Sequence, residues 1–350
     1  MSELDSLFES RYPDSSEPGA QILIARNGVP IYERYFGMAT LNPDTPVDST
    51  SRFCIASISK QFTVVGLLTQ VADGKLRLTD PVSRHLPYSD PLWNDIQLWH
   101  LASHTSGIPD SRDRSDRNAT VYATDSSSMA YFNNISAADL KFTPGTAYDY
   151  LNPSFLILAR AMEQQTGKMF TESQKELIFD PAGMSHTSYF DPDATVTPGQ
   201  SHAYIPGPDG WMEYDYGEET FFATRPDGGI YTTARDLLRW EEALRNNVIL
   251  PENLREEAYR PYIKVSGSPW CDYQNYPDTY YGLGWYSELK PDRPAKIFHT
   301  GDNGGYQAYL AKYPHTGLVI IILENRNDRD RRGMTEQVEE ILYCHGFTEP

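Results

Sequence analysis

The chain reads FCIASISKQF over residues 53–62, and this stretch holds a serine three residues before a lysine. An apolar run covers residues 64–72, and Gly74 after it is a typical helix end. Residues three apart lie on one face of a helix, so Ser57 and Lys60 would be neighbours. The lysine amine could take the hydroxyl proton as the serine attacks a carbonyl. The helix N-terminus would add backbone N–H groups for an oxyanion. The stretch therefore predicts a nucleophilic serine at the first turn of a buried helix.

The same Ser-x-x-Lys pattern occurs a second time, at Ser287 and Lys290. A single match of this kind is a weak signal because it arises easily by chance. The surroundings separate the two copies, since Ser57 precedes a long apolar run whereas Ser287 lies between an aromatic stretch and a proline-containing turn. We therefore take Ser57 as the candidate nucleophile.

Composition limits the kinds of partner. The 350 residues allow one large domain or two, and 39% hydrophobic with 22% charged residues is typical of a globular protein. The formal net charge of −18 argues against nucleic acid and anionic membrane as partners, because both require a basic surface. Three scattered cysteines (Cys54, Cys271 and Cys344) are too few for a disulfide framework or a zinc site.

No targeting or membrane-spanning segment is visible in the sequence. The first five residues contain neither the basic nor the apolar region of a signal peptide. The longest apolar candidate, residues 318–323, has the length of a strand and not of a membrane span. We therefore expect a cytoplasmic protein, or a periplasmic or secreted one if a leader has been removed.

The order of the predicted elements places strands at both ends of the chain and helices in the middle. A hairpin is expected at 19–39, and strands are expected at 281–287, 305–313 and 317–324. Helical signals recur at 137–141, 152–167 and 171–179, a capped helix runs to about 246, and a last helix covers 333–344. This order predicts one sheet domain interrupted by a helical domain.

Two later motifs offer the groups that a serine–lysine nucleophile needs, namely a second proton carrier and oxyanion donors. Tyr150 and Asn152 form a Tyr-x-Asn motif ahead of an apolar helix, and His299, Thr300 and Gly301 form a His-Thr-Gly motif. With the Ser-x-x-Lys motif, this set resembles the serine β-lactamase and penicillin-binding superfamily. The resemblance is strongest to its branch of class C β-lactamases, DD-peptidases, D-aminopeptidases and esterases.

Further landmarks of that branch occur in family order between residues 18 and 345. They include the stretches 103–107, 228–237 and 281–285. The resemblance implies an α/β (α+β) fold of the β-lactamase/transpeptidase type, with an antiparallel sheet flanked by helices plus an inserted all-helical domain. We expect the sheet domain at 1–75 and 223–350, the helix-rich domain at 76–222, and the active site in the cleft between them. His104 lies in one landmark, and we expect it to be structural.

Both later motifs have competing copies. Tyr131 and Tyr273 also begin Tyr-x-Asn patterns, but they lack the Pro-Gly pair that precedes Tyr150. His315 begins a second His-Thr-Gly motif, which lies in a turn between two predicted strands. We therefore prefer Tyr150 and His299 as site residues.

The resemblance implies a two-step acyl transfer through Ser57. Lys60 and Tyr150 would handle the proton, either one being the base in the resting state, and a charged Lys60 would favour a phenolate at Tyr150. Asn152 would orient Lys60 and a substrate amide. The backbone N–H groups of Ser57 and Asp302 would form the oxyanion hole.

His299 stands where most class C β-lactamases carry a lysine. The resemblance implies that it lines the cleft and contacts substrate or Tyr150, and that it makes the site pH-sensitive near neutrality. Thr300 and Gly301 would belong to the substrate-binding strand beside it. No cofactor and no metal are implied, and the expected partner is a small-molecule or peptide substrate. The oligomeric state stays open.

The bond to be cleaved is an ester or a D-amino-acid-type amide. The histidine form of the third motif resembles DD-peptidases, D-aminopeptidases and esterases more than true β-lactamases. One DD-peptidase type, however, binds the substrate carboxylate with an arginine at the position where this chain has Tyr286. This difference argues against a D-Ala-D-Ala carboxypeptidase, although Arg293 or Lys290 could take the place of that arginine. Aromatic and acidic residues within 211–219 and 259–281 either pack loops or form a pocket for uncharged or amine-bearing substrates.

Two alternatives stand beside this serine hydrolase. The first is a penicillin-binding DD-carboxypeptidase or weak β-lactamase. The second is a non-catalytic sensor or scaffold, although such a descendant usually lacks the serine, lysine or tyrosine, and all three are present here.

Overall fold

The structure is a computed structural model that describes residues 2–88, 90–111, 125–190, 199–214, 225–265 and 278–347. Its α-helices are α1 (Ser2–Arg11), α2 (Ser59–Ala72), α3 (Leu98–Ala102), α4 (Asp125–Phe132), α5 (Pro153–Thr166), α6 (Phe170–Gln174), α7 (Arg225–Gly228), α8 (Ala234–Arg245), α9 (Glu252–Tyr259) and α10 (Arg331–Cys344). Short 3-10 turns cover Ala56–Ile58, Val82–Arg84, Pro91–Asn94 and Ala137–Asp139, and a π-helical turn covers Lys175–Phe179.

The strands are β1 (Ala20–Arg26), β2 (Val29–Phe36), β3 (Met38–Leu41), β4 (Asp44–Pro46), β5 (Phe53–Cys54), β6 (Ser188–Tyr189), β7 (Tyr204–Gly207), β8 (Gly210–Glu213), β9 (Ile230–Thr232), β10 (Ile263–Lys264), β11 (Thr279–Tyr281), β12 (Tyr286–Glu288), β13 (Lys296–Asn303), β14 (Tyr306–Tyr313) and β15 (Leu318–Glu324). Eight of them form the main sheet in the order β10-β11-β12-β13-β14-β15-β1-β2. Every neighbouring pair is antiparallel.

The main sheet is covered by helices on both faces, and residues 318–323 of β15 are apolar on both of them. In β15, Leu318, Ile320 and Ile322 belong to the core that includes residues of α1 and α10. The alternate residues Val319, Ile321 and Leu323 belong to the core that includes residues of α2, α5 and α8. Antiparallel sheets often leave one face exposed to solvent. Because successive residues of β15 enter two different cores, both faces of this strand are buried.

Helix α2 is the centre of the second core. It is buried along most of its length, polar residues of its first turn included, as expected for a helix enclosed by other elements. Phe62 stacks on Trp240 of α8, with ring centroids 4.0 Å apart. This packing holds the start of α2, which carries the Ser-x-x-Lys motif, against the sheet.

The fold class and most elements agree with the sequence prediction. The hairpin β1–β2, the strands β14 and β15, and the helices α5, α8 and α10 all lie where they were expected. The predicted strand 281–287 is wrong, because residues 282–285 form a turn between β11 and β12 in which Gly284 has φ +82°. The region 76–222 is helix-rich but also carries β6, β7 and β8. The domain boundaries stay a prediction.

Candidate active site

Ser57 and Lys60 are in direct contact at the start of α2. Ser57 lies in the 3-10 turn Ala56–Ile58, which continues into α2. The Nζ of Lys60 is 3.0 Å from Ser57 Oγ and 2.8 Å from the carbonyl oxygen of Asp227. Lys60 is fully buried, whereas Ser57 is partly exposed. A serine hydroxyl that solvent can reach therefore meets an amine that solvent cannot.

The turn before the serine is strained. Ala56 has φ +43°, a left-handed conformation that costs an L-residue about 1–2 kcal/mol. Such strain is found preferentially at functional sites, where the surrounding structure enforces it. Its geometric effect is to turn the chain sharply between β5 and α2.

The first turn of α2 is tied to the segment that supplies the Asp227 carbonyl. Ile55 N donates to Ile230 O at 3.0 Å, and Ile230 N donates to Ser59 Oγ at 3.2 Å. Thr63 Oγ1 donates to Pro226 O at 2.6 Å. The carbonyl of Asp227 was not foreseen, because a backbone acceptor leaves no residue-type signal in a sequence.

Tyr150 and Asn152 enter the site just before α5. Lys60 Nζ lies 5.0 Å from the centre of the Tyr150 ring and 5.4 Å from that of Phe155. Asn152 Oδ1 is buried and accepts no hydrogen bond within the described residues. The expected hydrogen bond from Lys60 to this oxygen is therefore not formed, and the oxygen can accept a substrate N–H.

His104 packs behind Tyr150, with ring centroids 4.2 Å apart. Its Nδ1 accepts a hydrogen bond of 2.9 Å from Leu151 N, and its carbonyl oxygen accepts one of 2.9 Å from Asp149 N. Both bonds fix the loop that carries Tyr150. These contacts agree with the structural role expected for His104.

His299 is buried and neutral. Its Nδ1 lies 2.6 Å from the carbonyl oxygen of Thr300, and its Nε2 lies 3.1 Å from the hydroxyl of Tyr281. The carbonyl must accept, so Nδ1 carries the proton and Nε2 accepts from Tyr281. Burial, with the nearby charge of Lys60, lowers the pKa of His299 to about 3. The expected sensitivity to pH near neutrality is therefore wrong, since desolvation keeps the ring uncharged there.

Tyr281 is a site residue that the sequence did not identify. It was noted only within a family landmark and an aromatic stretch, yet it donates to His299 Nε2. Its ring also lies 4.8 Å from that of His104. Tyr281 is the last residue of β11, directly before the turn 282–285, and its contact with His299 depends on residues of another strand that no local pattern indicates.

Gly301 brings β13 against the serine turn. A Cβ on Gly301 would lie 2.1 Å from the carbonyl oxygen of Ile55 and 3.2 Å from Ala56 Cβ. Only glycine permits that approach. Asp302 follows Gly301 on the same strand, and its side chain is half-exposed. The structure thus brings the His-Thr-Gly strand and the Ser-x-x-Lys turn together.

Tyrosines lie at the position where one DD-peptidase type carries its carboxylate-binding arginine. Tyr286 is buried, and its hydroxyl lies 3.2 Å from that of Tyr148. Lys290 pairs with Glu288 at 2.8 Å, and Arg293 pairs with Glu340 of α10 at 3.0 Å. Each of these two cations is thus paired with a carboxylate, of β12 for Lys290 and of α10 for Arg293.

The competing motifs lie in other settings. Ser287 is buried in strand β12, Tyr131 is on helix α4, and His315 is in the turn between β14 and β15. Tyr273 lies outside the described residues.

The aromatic and acidic stretches are only partly described. Of them, Asp215, Tyr216, Glu218, Glu219, Trp270 and Tyr276 also lie outside the described residues. Trp211 packs over Arg326, with 4.4 Å from the guanidinium carbon to the ring centre. Tyr259 packs on Trp285, with ring centroids 5.2 Å apart. These two contacts favour loop packing for the members that are described.

Within the described ranges, no group of three histidine, cysteine or acidic side chains is arranged to hold a metal ion. Among the same residues, every helix is too short or too polar to cross a membrane.

Comparison with known proteins decides the family. The family model described as Beta-lactamase matches residues 4–343. The chain belongs to the beta-lactamase family. It is similar to penicillin-binding protein 4* of Bacillus subtilis, with 25% identity over 99% of this chain and 77% of the relative. It is also similar to the D-alanyl-D-alanine-carboxypeptidase/endopeptidase AmpH of Escherichia coli, with 27% identity over 97% of this chain and 89% of the relative.

A solved structure confirms the fold of this beta-lactamase family member. The octameric penicillin-binding protein homologue from Pyrococcus abyssi superposes with a TM-score of 0.85 at 22% identity, covering 98% of this chain and 77% of that chain. Family membership and the names of the relatives identify the chain as a serine hydrolase.

Proposed function

We propose that this serine hydrolase cleaves a D-amino-acid-type amide bond through an acyl-enzyme on Ser57, and that it cleaves activated esters by the same route. The observation that carries the proposal is the 3.0 Å contact between Ser57 Oγ and the fully buried Nζ of Lys60. The names of the relatives, which include D-alanyl-D-alanine-carboxypeptidase/endopeptidase, support a D-alanyl substrate.

In acylation, Lys60 takes the proton of Ser57 as Oγ attacks the carbonyl. Once the charged Lys60 has given up one proton, its amine would donate one N–H to Asp227 O, at 2.8 Å, and direct its lone pair at the serine hydroxyl. Tyr150, next to Lys60, would then pass the proton to the leaving nitrogen. Water would release the acyl group in the reverse sequence of proton transfers.

The donors for the oxyanion are the backbone N–H groups of Ser57 and Asp302. The close approach of Gly301 to Ile55 supports this assignment, because it brings the two backbone segments together. Asn152 Oδ1 accepts the N–H of the scissile or adjacent substrate amide, which supplies the partner that this buried oxygen lacks.

The leaving residue of the substrate would meet tyrosine hydroxyls and not an arginine guanidinium. Tyr286 stands where a carboxylate-binding arginine would, its hydroxyl is 3.2 Å from that of Tyr148, and the neighbouring His299 is uncharged. Phenol hydroxyls bind a carboxylate more weakly than a bidentate arginine does. We therefore propose a preference for substrates whose leaving residue is amidated or internal over those that end in a free carboxylate.

The test is a matched set of acyl-D-Ala-D-Ala, its C-terminal amide and the acyl-L-Ala-L-Ala peptide, assayed with wild type and Ser57→Ala. We expect turnover of the D-peptides only, a higher kcat/KM for the amide, and no turnover by Ser57→Ala. Equal turnover of the L-peptide, or turnover that survives Ser57→Ala, would contradict the proposal. A strong preference for the free carboxylate would contradict the role given to Tyr286.

A further inference from the structure

The geometry points to Arg331 as a positioning residue of the oxyanion hole, acting through the carbonyl of Gly301. This inference rests on the proposed function. Arg331 is the first residue of α10, and its side chain is about nine-tenths buried. Its Nη1 donates to Gly301 O at 3.0 Å and to Asp302 Oδ1 at 2.7 Å.

The two groups that matter belong to one peptide unit. The C=O of Gly301 and the N–H of Asp302 are parts of the same planar trans peptide, and they point in opposite directions. A hydrogen bond that fixes the carbonyl therefore also fixes the N–H that would meet the oxyanion. The cationic donor polarises this peptide as well, which makes the N–H a stronger donor.

The Asp302 N–H lies on an edge of β13 that has no strand beside it within the described residues, because β12 pairs with β13 only from Lys296 to Phe298. The Gly301 carbonyl lies on the other edge, where Gly301 pairs with Ala308 of β14 and Arg331 adds a charged donor. Strand β14 pairs with the other edge as far as Asn303. The approach of Gly301 to Ile55 limits its movement toward the serine turn, and Arg331 holds the carbonyl from α10.

Stability alone does not account for an arginine at this place. The first turn of a helix favours acidic residues and disfavours cations, yet α10 begins with two arginines and has no acidic residue there. The carboxylate of Asp302 is half-exposed, so solvent screens its pairing with the buried guanidinium of Arg331. The same guanidinium also donates to the buried carbonyl of Gly301.

The experiment compares Arg331→Met with Arg331→Lys and with a matched control, Arg332→Met. Arg332 is the next residue of α10, is about half-exposed, and pairs with the exposed carboxylate of Glu336 at 3.2 Å. Each enzyme is first titrated with a serine-directed phosphonate so that rates are expressed per reactive Ser57. We then measure kcat and KM for a p-nitrophenyl ester and the inhibition constant of a boronic acid, whose tetrahedral serine adduct resembles the transition state.

Loss of one oxyanion donor typically costs about 100- to 1000-fold in kcat, so misorientation of one should cost about 10- to 100-fold. We expect that loss in Arg331→Met with little change in KM, a parallel rise in the boronic acid inhibition constant, partial recovery in Arg331→Lys, and wild-type values in Arg332→Met. If kcat per titrated site and the boronic acid inhibition constant are unchanged in Arg331→Met, the inference is overturned. The same holds if the change only lowers the fraction of folded enzyme. Wild-type enzyme that the phosphonate does not label would overturn the proposed function itself.

Discussion

His299 is held in its neutral form by burial, and this makes it a source of pH-dependent stability. Its pKa is about 3 in the fold, against about 6.5 for an exposed histidine. Below pH 6.5 the unfolded chain binds a proton that the folded chain does not bind. Stability from this group is therefore complete above pH 6.5 and is lost progressively as pH falls toward 3.

Urea unfolding at pH 7 and pH 5 would measure this contribution. We expect wild type to lose about 1–2 kcal/mol more than His299→Gln between these two values. His100 contributes with the same sign in both proteins, since burial lowers its pKa to about 4. An equal loss in both proteins would show that His299 is charged or exposed in the fold.

Tyr281 sets the tautomer of His299, so removing its hydroxyl should affect the site as well as the fold. In Tyr281→Phe the buried Nε2 of His299 loses its donor, which should cost about 1–3 kcal/mol in the free energy of unfolding. The neighbouring Tyr280→Phe is the control, because Tyr280 is half-buried and its side chain faces the opposite side of the strand. Equal effects of the two changes on stability and kcat would contradict the assignment.

At the scale of elements, the site depends on how closely β13 approaches the serine turn. Gly301→Ala would place a Cβ 2.1 Å from Ile55 O, so the strand must move away. A displacement of about 1 Å at a catalytic centre can cost about 100-fold in rate. We expect kcat for an ester to fall by about that factor per folded enzyme.

Gly183→Ala is the matched control for that change. Gly183 has φ +69° and open space around its Cβ position, so the alanine is strained but meets no neighbour. It should cost about 1 kcal/mol of stability and leave kcat unchanged. Similar losses of rate in both variants would show that the effect of Gly301→Ala comes from general destabilisation.

The elements that the sequence predicted well are those with a strong local pattern. The strand-length apolar run of β15, the turn glycine of the β1–β2 hairpin, and the longer apolar run of α2 each favour the element that is found. The interruption between β11 and β12 was missed because aromatic residues on both sides of Gly282 and Gly284 favour a strand. Gly284 has φ +82° and lies against α2, where a Cβ would be 2.9 Å from Val64 Cγ2 and 3.2 Å from Lys60 O; contacts between segments so far apart in the chain leave no local pattern.

At the scale of the whole molecule, the two ends of the chain form one side of the protein. Helix α1 packs with α10 on the sheet face opposite α2, and Leu4 and Phe8 are fully buried there. Tyr12 and Arg11 bond to the buried carboxylate of Glu324, with Tyr12 OH at 2.6 Å. The sequence did not predict α1, because its apolar residues are few and its role depends on this distant partner.

Phe8→Ala tests the contribution of that face. The change should cost about 3–5 kcal/mol in urea unfolding, because it leaves a cavity in the core, while kcat per folded enzyme stays unchanged. The adjacent Glu9→Ala, at an exposed position, should change stability by less than about 0.5 kcal/mol. A fall in kcat with Phe8→Ala would show that the α1 face is coupled to the site.

The three candidate motifs could be selected from the sequence because their residue types and order are specific; the structure brings them together, and their catalytic roles stay a prediction. What the sequence could not show were the groups that act through the backbone or through burial, namely the carbonyl of Asp227, the neutral state of His299, and the contact of Arg331 with Gly301. Each depends on residues far apart in the chain.

The central claim is that a covalent acyl-enzyme forms on Ser57, and acid-quenched mass spectrometry with peptide mapping tests it most directly. Wild type mixed with an acyl-D-alanyl thioester should show one added acyl group on the peptide containing Ser57, and Ser57→Ala should show none. An adduct on another residue, or equal turnover by both proteins with no adduct, would contradict the account.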